Sequence, residues 1–351
     1  MQNWKKINLI ALIIVLLLSL MGEYLVVRKY GTFTGGDTAL HLRLTEELLR
    51  LKYPGSSNYP YPPGFHIVLA LLSIIFLSTP FHIMKILQVF MLFLAVTSTA
   101  YFVFRKTDFY TTSILIMLLL SSPAFWDRSS QVIPQALDLI LLPLAFYYFL
   151  EEKKWTFIAI STFLVYNHFA YAILPLGGLF LYSAINLRRF KEFAIIGVFS
   201  LPLVLYMIAN ISPILIESAS IQNLQEEAIL REPLFAIKYL GYPLFFLVFT
   251  MGIHQRFKEP IAIVKVSRYW TLSLIPVVIY FPDRFIEYVS QPLAIMGAVF
   301  IGELIKNGGI RSIVFLALFV FTFASLMAFY NALLTNGVIL LPLNTLSPFA
   351  I

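Results

Sequence analysis

Long apolar runs, broken by short polar islands, set the pattern of the chain. The first run, residues 7–27, is about 20 residues long, enough to cross ~30 Å of hydrocarbon as a helix. Comparable runs recur at 83–104, 111–125, 133–150, 155–166, 170–186, 193–211, 234–253, 269–281, 286–305 and 312–334. One piece, 65–77, is shorter, and its length suits a helix lying in the interface or re-entering it rather than crossing. The period-2 alternation of a membrane barrel is absent. In lipid each backbone group must find its partner within its own element, so the pattern predicts helices throughout. The runs 111–125 and 269–281 are short and carry or abut proline, which predicts tilt, kinks or partial re-entry.

Charges between the runs choose among threadings. If 65–77 crossed, Arg105, Lys106, Lys153 and Lys154 would all face outside. If it does not cross, they face the cytoplasm, the arrangement the positive-inside rule prefers. On that threading about eleven spans result, and the N-terminus is cytoplasmic. Roughly fifteen of the 25 Lys and Arg then lie on the cytoplasmic side. The first run exceeds the 7–15 residues of a signal-peptide core and shows no convincing cleavage site, so it reads as an uncleaved helix. Neither a soluble domain nor a repeat is visible. The expectation is one all-α membrane domain, 1–351, with a long first outer loop at 28–80.

Composition sharpens this. The chain is 60% hydrophobic and 12% charged, against roughly 25% charged in a soluble protein. The net charge of +7 reads as orientation of membrane helices rather than a nucleic-acid surface. There is no cysteine, so thiol chemistry, disulfides and cysteine metal sites are excluded.

The outer loops collect polar side chains at one membrane level. The stretch GTFTGGDTALHLRLTEELLR carries Asp37, His41 and Arg43. Asp37 precedes an apolar helical period at Leu40, Leu44, Leu48 and Leu51, so it suits a helix N-cap. With His41 one turn on, it also suits a cation site or a base tuned near neutral pH. Gly35 and Gly36 would let a substrate approach the carboxylate closely. Tyr59, Tyr61 and His66 lie in SNYPYPPGFH, which reads either as a rigid interfacial loop or as a wall for a sugar ring or lipid chain. Asp127 and Arg128 open the second loop, His168 marks the third, and Asp283, Arg284 and Glu287 a later one. Arg128 and Arg284 are candidate phosphate partners or interfacial anchors. Asp138 falls inside a span, where ionisable groups usually face a cavity. Glu303 and Lys306 sit near an inner end and read as anchors.

In this order, the segments GGDTALHLRLTEELL, YPYPPGFHIVLALLSIIF, SPAFWDRSSQVIPQALDLILLPLAFYYFL, FLVYNHFAYAILPLGGLFLY and PDRFIEYVSQPLAIMGA resemble those of the GT-C membrane glycosyltransferases. That superfamily includes oligosaccharyltransferase catalytic subunits, protein O-mannosyltransferases and lipid A aminoarabinose transferases. The likeness covers roughly residues 1–305 as an ordered series. It implies a polyprenyl- or dolichyl-phosphate (or pyrophosphate) sugar donor, used on the extracytoplasmic face of the cell membrane by an inverting transfer. By position, Asp37 would be the acid of the first loop, acting as general base or metal ligand. Arg284, with Arg128, would contact the donor phosphate. His41, Tyr59, Tyr61, His66, Asp127, His168 and Glu287 would line the substrates. The acceptor would be a glycan, a lipid or a protein, with a partner subunit as a further expectation and no nucleic acid. There are departures. A second-loop position often acidic in that family reads Pro134-Gln135, with Asp127 and Asp138 displaced. That argues against a two-carboxylate Mg or Mn site, and no cofactor is expected. No separate soluble outer domain of the kind many of those enzymes carry is expected. Two other readings stay open: a transporter or polymerase of lipid-linked saccharides, and a catalytically idle scaffold subunit.

Overall fold

Capping and terminal charge decide where the helices begin and end. The computed structural model describes residues 2–31, 37–51, 61–185, 189–218, 261–280, 282–304 and 310–336. These fold into thirteen helices with no strand among the described residues. They are α1 (Gln2–Tyr30), α2 (Thr38–Leu49), α3 (Gly64–Ile75), α4 (Pro80–Lys106), α5 (Phe109–Leu120), α6 (Pro123–Ser129), α7 (Pro134–Leu150), α8 (Lys154–Asn167), α9 (Phe169–Ile185), α10 (Phe190–Ser218), α11 (Ala262–Tyr280), α12 (Pro282–Leu304) and α13 (Ile310–Asn336). Thr79 caps α4, accepting from the His82 backbone N–H, with Pro80 in the first turn and Arg105 and Lys106 in the last. That charge order suits the helix dipole. Asp108 caps α5 by accepting from Thr111 N at 2.8 Å.

Among the described residues, three helical stretches are long and apolar enough to cross a membrane: Leu9–Tyr30, Pro80–Lys106 and Phe190–Met207. Several other apolar helices, such as α3, α5 and α7, are shorter. The 12 residues of α5 reach only about 18 Å at 1.5 Å per residue. The expected run 234–253 lies outside the described residues. The short piece 65–77 forms the 12-residue α3. One face of α3 buries Phe65, His66, Leu69, Ala70 and Ser73, while Ile67, Leu71, Ile74 and Ile75 stay exposed. An apolar outward face suits contact with lipid.

The main core draws on α1 and on α4 to α13. A smaller cluster, Phe65, Leu69, Ile83, Met84, Met91, Val132, Ile133 and Ala136, seats α3 on α4 and on the segment entering α7. The seating is close: a Cβ on Gly64 would lie 2.7 Å from the Tyr166 carbonyl oxygen. At the other side α13 is tied to α1, where the Tyr330 hydroxyl donates to Ser19 O (3.0 Å) and Glu23 Oε1 (3.1 Å). The adjacent Phe329 packs on Trp126 of α6, ring centres 4.6 Å apart.

Candidate functional site

Helix starts and turns from five elements converge where α2, α3, α6, the α8–α9 turn and α12 meet. Asp37 occupies the N-cap position of α2, but its backbone is already helical and its side chain makes no capping bond. The carboxylate faces Arg128 instead, at 4.0 Å from the guanidinium. Arg128 is held from behind by Glu287 of α12, with Nε 3.3 Å from Oε1. The two carboxylates differ in setting: the Asp37 side chain is 54% exposed, that of Glu287 is fully buried. Arg128 is therefore braced by a buried acid and presented toward an open one.

One turn into α2, His41 turns away from Asp37 and meets His66 of α3, Nδ1 to Nε2 at 3.1 Å. Both rings are buried. Tyr61 packs edge-on to His41 (5.0 Å) and His168 (6.3 Å). His168 in turn packs on Tyr171 at 4.3 Å, and Tyr171 on Tyr288 at 4.3 Å. Below this aromatic row, Asn167 Nδ2 donates to Pro134 O (2.8 Å) and Asp138 Oδ1 (2.7 Å). That pair bolts the turn carrying His168 to the start of α7. Nearby, Gln291 Nε2 donates to Thr99 Oγ1 (3.0 Å) and Leu139 O (2.7 Å), joining α12 to α4 and α7.

Burial sets the protonation of the histidines. It holds His66 down at about 4 and His168 at about 3. His41 falls well below the ordinary histidine range, through burial first and then through His66 and His168. All three rings are neutral at pH 7. A neutral imidazole has one donor and one acceptor nitrogen. His66 bonds the Pro62 backbone, a carbonyl that only an N–H can satisfy, because proline has no backbone donor. His66 Nε2, on the other side of the ring, then accepts from His41 Nδ1–H. His41 Nε2 is left as the lone-pair nitrogen. That atom is buried and makes no hydrogen bond among the described residues. This tautomer assignment follows from the bonding pattern.

Of the residues singled out from sequence, Asp37, His41, Tyr61, His66, Arg128, His168 and Glu287 are brought together. Tyr59 lies outside the described residues. Asp127 sits in α6 and Arg284 in the first turn of α12, but their side chains lie outside what the structure describes. Asp138 is buried below the site. Among the described residues no three His, Asp or Glu side chains form a metal-binding group. Tyr171, Tyr288 and Asn167 were not singled out from sequence. Their signal was proximity in sequence, since Asn167 precedes His168, Tyr171 lies three residues after it and Tyr288 follows Glu287.

Among the described residues the fold is thus all-helical, with three stretches fit to cross a membrane and a polar site where helix ends and turns meet. No protein-family model matches the chain, and no curated protein matches it.

Proposed function

We propose that the chain is an integral membrane glycosyltransferase of the GT-C type. It moves a sugar from a polyprenyl- or dolichyl-phosphate donor to an acceptor hydroxyl. The observation that carries this reading is the series Asp37–Arg128–Glu287, set beside a wall of aromatic and imidazole rings. Asp37 is open and can accept the proton of an acceptor O–H. The acceptor oxygen bonds the anomeric carbon as the bond from that carbon to the phosphate oxygen breaks. Its electron pair leaves with the lipid phosphate. Arg128, and Arg284 by position, stabilise that growing charge, and Glu287 fixes the guanidinium so that little reorganisation is needed. His41 Nε2 offers a second acceptor for a substrate hydroxyl, and Tyr61 and His168 offer ring faces for a sugar. About eleven spans and a cytoplasmic N-terminus would put this site on the extracytoplasmic face.

The test is transfer from radiolabelled polyprenyl-phosphate sugars in membranes containing the protein, wild type against Asp37→Asn. Loss of the general base should cut turnover by about 10²–10⁴-fold. Transfer that survives the substitution would remove the mechanism. A second reading, a transporter of lipid-linked saccharides, draws on the buried polar set Asp138, Asn167, Gln291 and Thr99, since transport sites lie near the bilayer midplane. Absence of transfer to any lipid, glycan or peptide, with flux of the labelled lipid across vesicles, would favour it.

A further inference from the structure

A groove of about 550 Å³ runs between α3, α8 and α10. Its volume falls within the roughly 300–1,000 Å³ of small-molecule sites. Its lining is almost wholly apolar, including Gly64, Ile67, Ala159, Phe163 and Phe199, and at one end Trp155. Gly64 and Trp155 mark opposite ends. Gly64 packs against the Tyr166 backbone, near the last turn of α8. Trp155 is in the first turn and is 70% exposed. The eleven steps from Trp155 to Tyr166 rise about 16 Å, close to the depth of one leaflet.

The Trp155 end is basic. Lys153 is exposed, and Lys154 Nζ lies 5.1 Å from the centre of the Trp155 ring. The start of α10 reaches the same end, because Arg189 stacks over Phe149 and Phe157. That brings exposed Lys191 to the same level. Two of the carboxylates here are engaged, Glu151 by Lys106 and Glu192 by Arg189. Glu152 is exposed. The surplus charge is positive and lies around an exposed indole at the mouth of an apolar groove.

We propose that this groove seats one chain of an anionic phospholipid from the leaflet at the Trp155 end. Its headgroup phosphate is held by Lys153, Lys154 and Lys191. An indole at the interface, lysines at the phosphate level and an apolar channel leading inward match the three parts of such a lipid. This inference does not rest on the transferase reading, since the lipid enters from the end of α8 remote from Asp37.

The experiment uses the full chain in bilayers and reads quenching of Trp155 by brominated lipids. The other three of the four tryptophans are subtracted with Trp155→Phe. Brominated phosphatidylglycerol should compete with phosphatidylcholine for Trp155 with a preference of about fivefold per lysine engaged. Lys153→Gln/Lys154→Gln should lower that preference toward unity. Ala159→Trp, which fills the groove, should weaken quenching by both lipids, read against the Trp155→Phe form of the same variant. Equal quenching by the two lipids would overturn the proposal, as would a preference unchanged in the lysine variant or quenching unchanged by Ala159→Trp. Displacement by added polyprenyl phosphate but not by phosphatidylglycerol would overturn it too, and would give the groove to the donor lipid.

Discussion

His41, His66 and His168 make the site acid-sensitive, and the sign follows from which state binds protons. Their folded pKa values lie below the unfolded value near 6.5. Between pH 6.5 and about 4 for His66, or about 3 for His168, the unfolded chain binds protons that the folded chain refuses. Stability is therefore full above pH 6.5 and falls as pH drops through that window. For His66 the limiting loss is roughly 3 kcal/mol. Thermal unfolding of the detergent-solubilised protein should show a midpoint that falls from pH 7 to pH 4. His66→Phe should flatten that slope, and an unchanged slope would contradict buried neutral rings. The Arg128–Glu287 pair yields a second expectation at this scale. Removing one partner of a buried ion pair costs about 3–5 kcal/mol, because the other charge is left uncompensated. Arg128→Met should thus destabilise the fold through the buried Glu287 carboxylate. Adding Glu287→Leu should recover much of the loss. A double-mutant cycle on unfolding midpoints measures the difference. Asp37 shows what sequence could convey at this level. Its position before a helix was legible, but its use was not. A cap requires extended backbone and a carboxylate turned onto its own helix, and here the backbone is helical and the carboxylate faces Arg128.

Among the elements, α3 carries the most information about how the site is held. Its shortness and its position after a Pro-rich loop were readable. Its seat was not readable, because a glycine at a helix start has several uses. In the structure Gly64 lets α3 approach the α8 backbone, and a Cβ there would stand 2.7 Å from the Tyr166 carbonyl oxygen. Backbone cannot yield as a flexible side chain can. Gly64→Ala should push α3 outward, separate His66 from His41, and destabilise by about 1–3 kcal/mol as overpacking does. Gly197 in α10 is the control, since a Cβ there meets nothing within 4 Å. Gly197→Ala should be neutral or stabilising by up to about 1 kcal/mol, from helix propensity alone. Equal behaviour of the two variants would show that close packing at Gly64 is not what fixes α3. The helix limits teach a related point. Apolar windows at 7–27 and 83–104 found the centres of α1 and α4, which run on to Gln2–Tyr30 and Pro80–Lys106. Hydropathy marks what lipid covers, whereas backbone hydrogen bonds carry a helix into its polar flanks until a cap stops it. Tyr171 and Tyr288 escaped notice for a similar reason. An aromatic in an apolar run reads as lipid-facing until its partner helix is known.

For the whole molecule, the open physical question is which helices cross. Charge placement favours α3 remaining at the interface and α4, α5 and α7 each crossing, which puts the 28–80 loop and Lys153 on opposite sides. Length opposes part of this, because α5 alone reaches about 18 Å, well short of ~30 Å of hydrocarbon. Burial offers a resolution. Every residue of α5 from Thr111 to Leu120 is buried, so this helix is wrapped by protein and need not match the lipid thickness. The segment continues through Ser121 and Ser122 into α6, whose Arg128 reaches the site. A helix pair of this kind can carry the chain across where neither helix alone could, since irregular backbone is tolerated at depth when protein surrounds it. The absence of cysteine makes the issue directly measurable with single introduced thiols. Leu51 is 94% exposed and Lys153 is also exposed, so Leu51→Cys and Lys153→Cys should disturb little. With three crossings between them, a membrane-impermeant maleimide should label Leu51→Cys in intact cells and Lys153→Cys only after permeabilisation. Labelling of both from outside would mean an even number of crossings, with either α3 spanning or the α5–α6 pair failing to span. The reverse pattern would invert the molecule and carry Asp37 and Arg128 to the cytoplasmic face, where a donor used outside could not reach them.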